Sequence, residues 1–134
     1  MTLIDLITDA YRMAGIIAES DTPSAEQGAM AVTRLNDLIA ELESDGIDLG
    51  WNPKSSTTDT ASFPEGYVGG IKAMLAVLLF VQYMGPAVPP VLAATADSAY
   101  ERMLRQATIL QNTEVSMRGM SLGASSGYWR DITR

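Results

Sequence analysis

Few residues in this chain are of types that do chemistry, and their spacing points away from catalysis. Glu41 and Asp45 stand four apart, so a helix would put both carboxylates on one face. A glycosidase-like acid and base need such a pair. Nothing apolar enough stands beside them in sequence to raise one pKa above the other. They read as a solvated acidic face. Ser55 to Thr60 supplies hydroxyls without a base. The chain has no histidine and no cysteine. That removes the commonest general base, the commonest metal ligand, thiolate sites and disulfides. Gly66, Gly69 and Gly70 lack the preceding strand and the Gly-Lys-Ser/Thr ending of a phosphate loop. No catalytic residue, metal site or cofactor is assigned.

The residues that stand out are of the kind that bind other chains. Tyr128-Trp129-Arg130 and Ile132 follow the small, aperiodic stretch from Gly119 to Gly127. Tyr, Trp and Arg are the types most enriched in binding hot spots, so this tip reads as an anchor on a tether. Met117 and Met120 add adaptable apolar contacts. A second candidate contact set, Trp51, Lys54, Ser55 and Thr58, lies in the polar stretch between residues 47 and 62. Loops longer than about 12–15 residues are uncommon in compact domains. This one is expected to lie off the core and to touch either a neighbouring subunit or another protein. Deleting Ser55 to Thr60 is then expected to leave the fold nearly unchanged. A β-hairpin is possible there, because Thr57, Thr58 and Thr60 favour extended backbone. The competing reading of Trp51 is a cap over the edge of the core.

Four helices must position these residues. The first carries Leu3, Leu6, Ile7, Ala10, Met13 and Ala14 on one stripe. Thr2 to Asp5 has capping-box spacing, and Gly15 suits the position after the last turn. The second opens with the capping box Ser24-Ala25-Glu26-Gln27 and stops at Asp45-Gly46. Its apolar face is Ala31, Val32, Leu35, Leu38, Ile39 and Leu42. Gly28 inside it points to a close approach. The third has Pro64 as its expected first residue and is apolar nearly all round from Tyr67 to Met84. That pattern marks a central helix, and Gly69-Gly70 would let another helix pack close. After Gly85-Pro86, a fourth helix is expected from Pro90 to about Leu110. Its inner face is Leu92, Ala93, Ala96, Ala99, Tyr100, Met103, Leu104 and Ala107. The expected fold is all-α: a four-helix bundle over residues 1–111, a long loop at 47–62, and an extended C-terminal tail over 112–134.

The chain of 134 residues carries a net charge of −7, unevenly spread. Residues 1–50 hold ten acids and two bases. An acidic body argues against gripping the phosphate backbone and suits a surface that DNA passes without sticking; the same acid would also simply keep a protein in solution. The start lacks the basic segment and cleavage site of a signal peptide. The longest charge-free apolar run, Ala73 to Val81, is shorter than the roughly 20 residues that cross a bilayer. No membrane partner is expected.

Taken in order, these segments resemble the head-to-tail adaptors of tailed bacteriophages, above all the tail accessory factor, or packaged-DNA stabilisation protein, of short-tailed phages. The resemblance is carried by a short helix ending at Gly15, then Pro23-Ser24, then a second helix ending Glu43-Ser44-Asp45-Gly46-Ile47. Phe63-Pro64-Glu65-Gly66-Tyr67 is similar to the Leu-Pro-x-Gly-Tyr start of the wider head-tail connector family. A Leu-Ala helix, a Gly-Pro turn and an alanine-rich last helix follow. The match covers roughly residues 3–111. The resemblance implies a structural virion protein, not an enzyme. It would be made in the host bacterial cytoplasm and end at the portal vertex. It would form a twelve-subunit ring under the portal protein, extend the DNA channel, retain packaged DNA and give the next tail protein a platform. Tyr128, Trp129, Arg130, Ile132, Met117 and Met120 are then the candidate portal-binding residues, and the loop at 47–62 would touch either a neighbouring subunit or a later tail protein. Two rival classes stand beside it: a carboxylate-based cell-wall hydrolase carried in the virion, and a helical DNA-binding or terminase-like subunit.

Overall fold

The computed structural model describes the backbone of residues 1–122 and the side chains of residues 1–109. Four helices occur in chain order: α1 Leu3–Met13, α2 Ala25–Ser44, α3 Glu65–Met84 and α4 Pro90–Leu122. Among the described residues there is no strand, only an isolated antiparallel bridge between Thr2 and Thr60. The fold is all-α.

Local signals set most helix ends. At α2 the Ser24 hydroxyl accepts from the Gln27 backbone N–H at 3.2 Å, and Gln27 Oε1 accepts from the Ser24 N–H at 2.9 Å. The capping box is complete. Helices α1 and α2 end in the same way. Gly15 and Gly46 take positive φ, 74° and 92°. The next residue then donates back to the last turn, Ile16 N to Tyr11 O at 3.1 Å and Ile47 N to Leu42 O at 2.9 Å. Both are Schellman closures, in which the following apolar residue folds against the helix. Ile47 is accordingly buried and Ile16 packs on the core.

The start of α1 departs from its capping-box reading. Thr2 makes no side-chain cap bond; its hydroxyl donates to Asp5 Oδ2 at 2.7 Å instead. Two of the helix's free N–H groups are satisfied from far along the chain. Leu3 N donates to Asp59 O and Ile4 N to Thr57 O, both at 2.9 Å. Pro64 is the cap of α3 rather than its first residue, one position from expectation.

Helix α3 is the centre, and α1, α2 and α4 all pack against it. Its 20 residues are long and apolar enough to cross a membrane by length and composition. The nine-residue run read from sequence understated this. Here its polar residues are held by neighbouring helices. Lys72 Nζ meets Asp9 Oδ2 of α1 at 2.7 Å. Gln82 Oε1 accepts from Arg34 Nε of α2 at 2.6 Å. Helices α3 and α4 approach closely at Gly70, where a Cβ would stand 2.7 Å from the Ala99 Cβ. Gly69 faces open space, so only the second glycine of the pair serves packing.

Tyr11, absent from the expected apolar stripe, is fully buried, whereas Met13 is exposed. The Tyr11 hydroxyl lies 2.7 Å from the Gln27 carbonyl and 3.3 Å from the Tyr83 hydroxyl. A carbonyl can only accept, so Tyr11 donates to Gln27 and receives from Tyr83. Burial, with the Tyr83 hydrogen bond second, pushes the Tyr11 pKa well above its ordinary value.

Helix α4 runs to Leu122, beyond the end expected near Leu110. The extended-tail reading is therefore corrected for residues 112–122, which continue the helix. Its buried positions are Leu92, Ala96, Ala99 and Met103, with Tyr100, Leu104 and Ala107 partly packed.

Two outcomes follow. Gly70→Ala overpacks the α3–α4 contact and lowers unfolding stability by about 1–3 kcal/mol, whereas Gly69→Ala leaves it equal or higher; urea titration of both variants separates them. Tyr11 must lose its proton more readily unfolded than folded, so its contribution is complete below the unfolded value of about 10 and is lost as pH rises above it. Alkaline titration of stability should fall less steeply in Tyr11→Phe than in the wild type.

Candidate functional site

Two surfaces carry the candidate residues, and α2 contributes to both. The first is the segment from Ile47 to Phe63. Asn36, on α2, pins it. Its Oδ1 accepts from Trp51 Nε1 at 3.1 Å and from Lys54 N at 3.0 Å, and its Nδ2 donates to Lys54 O at 2.7 Å. The Trp51 ring stacks on Phe63, with centroids 4.8 Å apart and planes 6° from parallel. Lys54 Nζ sits 5.3 Å over the Trp51 ring, within cation–π range.

Further along, the Asp59 carboxylate accepts from the N–H groups of Ser55 and Ser56 at 3.4 and 3.3 Å. That turn aims the Thr57 and Asp59 carbonyls at the start of α1. Thr57 also lies against α2, where a Cβ on Gly28 would come within 3.0 Å of its methyl. This is the close approach that Gly28 implied.

The off-core reading of residues 47–62 is thereby corrected. Ile47, Leu49 and Ala61 are buried, and the loop supplies the N-terminal cap of α1. No hairpin forms; one bridge links Thr60 to Thr2. Trp51 is the edge cap of the competing reading, half-buried and with its N–H satisfied. The structure thus brings Trp51 and Lys54 together, while Ser55 and Thr58 are exposed on the same loop.

The second surface is a groove of about 210 Å³ over α3, between α2 and α4. Its floor is Leu38, Leu42, Met74, Val77, Leu78 and Ala96; Glu41, Asp45, Asp97 and Tyr100 rim it. The Tyr100 hydroxyl donates to Asp45 Oδ2 at 2.7 Å, and that bond to a carboxylate raises the Tyr100 pKa. Glu41 and Asp45, the pair weighed as acid and base, are both exposed on this rim, and Asp45 is engaged by Tyr100. Sequence reading missed the groove. Its only signal was that α3 is apolar on more sides than three helices cover.

The remaining candidates lie outside the described residues. Tyr128, Trp129, Arg130 and Ile132 follow Leu122. Met117 and Met120 fall within the α4 span, with side chains beyond the described set. Among the described residues no three His, Cys, Asp or Glu side chains gather to hold a metal ion. No protein-family profile and no characterised protein sequence matches this chain.

Asn36→Ala removes three loop hydrogen bonds and leaves the Trp51 N–H without its acceptor. Stability should drop by about 2–3 kcal/mol, given about 1 kcal/mol for each bond. Deletion of Ser55 to Thr60 should also lower the melting temperature, because it uncaps α1. Calorimetry checks both, and acrylamide quenching of Trp51 in a Trp129→Phe background reports the release of the loop.

Proposed function

We infer that this chain is a structural head-to-tail adaptor of a tailed bacteriophage. Copies assemble as a ring, of twelve subunits by the resemblance, under the portal protein. The ring extends the DNA channel, retains the packaged genome and receives the next tail protein. DNA passes it without sequence-specific binding. The reading gives the chain no catalytic role and no cofactor, and it includes the four-helix bundle with a projecting C-terminal segment.

What carries this reading is the order of segments set on the helices. A short first helix closes at Gly15, and a second closes at Asp45-Gly46-Ile47. Phe63-Pro64-Glu65-Gly66-Tyr67 opens the central helix, and Gly85-Pro86 precedes the last. Two physical features support it. At 1.5 Å per residue, α4 is about 50 Å long and α3 about 30 Å, so the last helix outruns its main partner. Such an arm contacts another chain more readily than its own body. The exposed acidic residues Asp37 and Glu43 of α2 disfavour contact with the phosphate backbone, which suits a surface that DNA passes without sticking.

Electron microscopy of the chain mixed with the portal of the same phage tests the reading. A ring of density should appear under the portal and continue its channel. A stable two-fold dimer that ignores the portal would contradict it.

A further inference from the structure

The groove over α3 has an apolar floor and an acidic rim, and α1, α2 and α4 leave it open. Glu41 and Asp97 on the rim are exposed and make no ion pair among the described residues. The groove's volume of about 210 Å³ is more than enough for one aromatic ring, since an apolar cavity of about 150 Å³ takes up benzene. A complementary occupant therefore carries an aromatic anchor flanked by positive charge.

Beyond α4 the sequence contains such a segment. Residues 128–134 read Tyr-Trp-Arg-Asp-Ile-Thr-Arg, with two arginines against one aspartate. We propose that the groove receives this segment from a second copy of the chain. Trp129 fills the apolar floor between α2 and α4. Arg130 and Arg134 meet Glu41 and Asp97.

Reach decides between the same chain and another. Along α4, Leu122 lies about 33 Å from Tyr100 at the groove edge, by a rise of 1.5 Å per residue. Trp129 is seven residues beyond Leu122. Fully extended, those residues span about 23 Å at 3.3 Å each. The tip falls short of its own groove by about 10 Å, before any allowance for turning the chain back. A neighbour's groove carries no such limit. Tail of one copy into groove of the next is a heterologous contact, which closes into a ring when its rotation allows. The inference deepens the ring reading by naming that contact, and it moves the tail tip from the portal to the neighbouring subunit.

The test needs no portal, so its failure and that of the adaptor reading are separable. The full-length Trp129→Ala chain keeps its groove and loses its own anchor. A synthetic peptide of residues 123–134 is titrated into it and followed by nuclear magnetic resonance. Saturable shifts should centre on Met74, Val77, Leu78 and Ala96. Glu41→Lys with Asp97→Lys in that chain should weaken binding at least about tenfold. The peptide carrying alanine for Trp129 should bind at least about 30-fold more weakly, as expected for a Trp hot spot. Both acids are exposed, so the reversal leaves the fold in place, and circular dichroism verifies this. Absence of saturable binding, shifts centred elsewhere, or indifference to the rim reversal would overturn the proposal.

Discussion

Everything in this fold depends on covering α3. A 20-residue helix that is apolar nearly all round is unstable as a lone element in water. Each apolar side chain left exposed forgoes roughly 1.5–3 kcal/mol of burial. The chain meets this with three helices of different kinds. Helix α1 is short and brings Leu3, Leu6 and Ile7. Helix α2 is long and presents a single apolar face. Helix α4 packs tightly at Gly70, where the Ala99 and Met103 side chains leave no room for a Cβ. Three partners do not close the circle. Val77 and Leu78 stay half-buried in the floor of the groove, and Val81, Tyr83 and Met84 at the C-terminal end of α3 are exposed, so the same constraint that organises the core also leaves the groove open.

The loop between α2 and α3 shows how a polar segment becomes structural. A helix start leaves backbone N–H groups without partners. In α2 a serine in the adjacent sequence satisfies one of them. In α1 the threonine in that position turns to Asp5, and carbonyls more than fifty residues away take over. The loop can do this because Asn36 and the Trp51–Phe63 stack hold its first half, while Asp59 shapes its second. Its length is thus explained by the distance it covers, from the end of α2 past the start of α1 to the start of α3.

Periodicity and caps made the four helices legible. The Ser24 box, both glycine closures and the alanine face of α4 lie where the residues place them. Three things were not legible, each for a physical reason. The cap of α1 is supplied by residues distant in sequence, which local patterns cannot reveal. Tyr11 is buried because Gln27 and Tyr83 satisfy its hydroxyl, a fact of packing. The length of α4 past Leu110 runs against a glycine-containing, aperiodic stretch that gives no amphipathic signal. Of the candidate site residues, Trp51 was readable as an edge cap. The groove was not readable, because its walls come from three separate helices.

The central claim is that α3 is left partly bare in the single chain and covered only on assembly. Side-chain oxidation footprinting compares the two states directly, on the dilute chain and on the ring bound to its portal. The account predicts that Val77 and Leu78 are labelled in the dilute chain and protected in the ring, with Trp51 and Phe63 unchanged. Equal labelling of the groove in both states would contradict it.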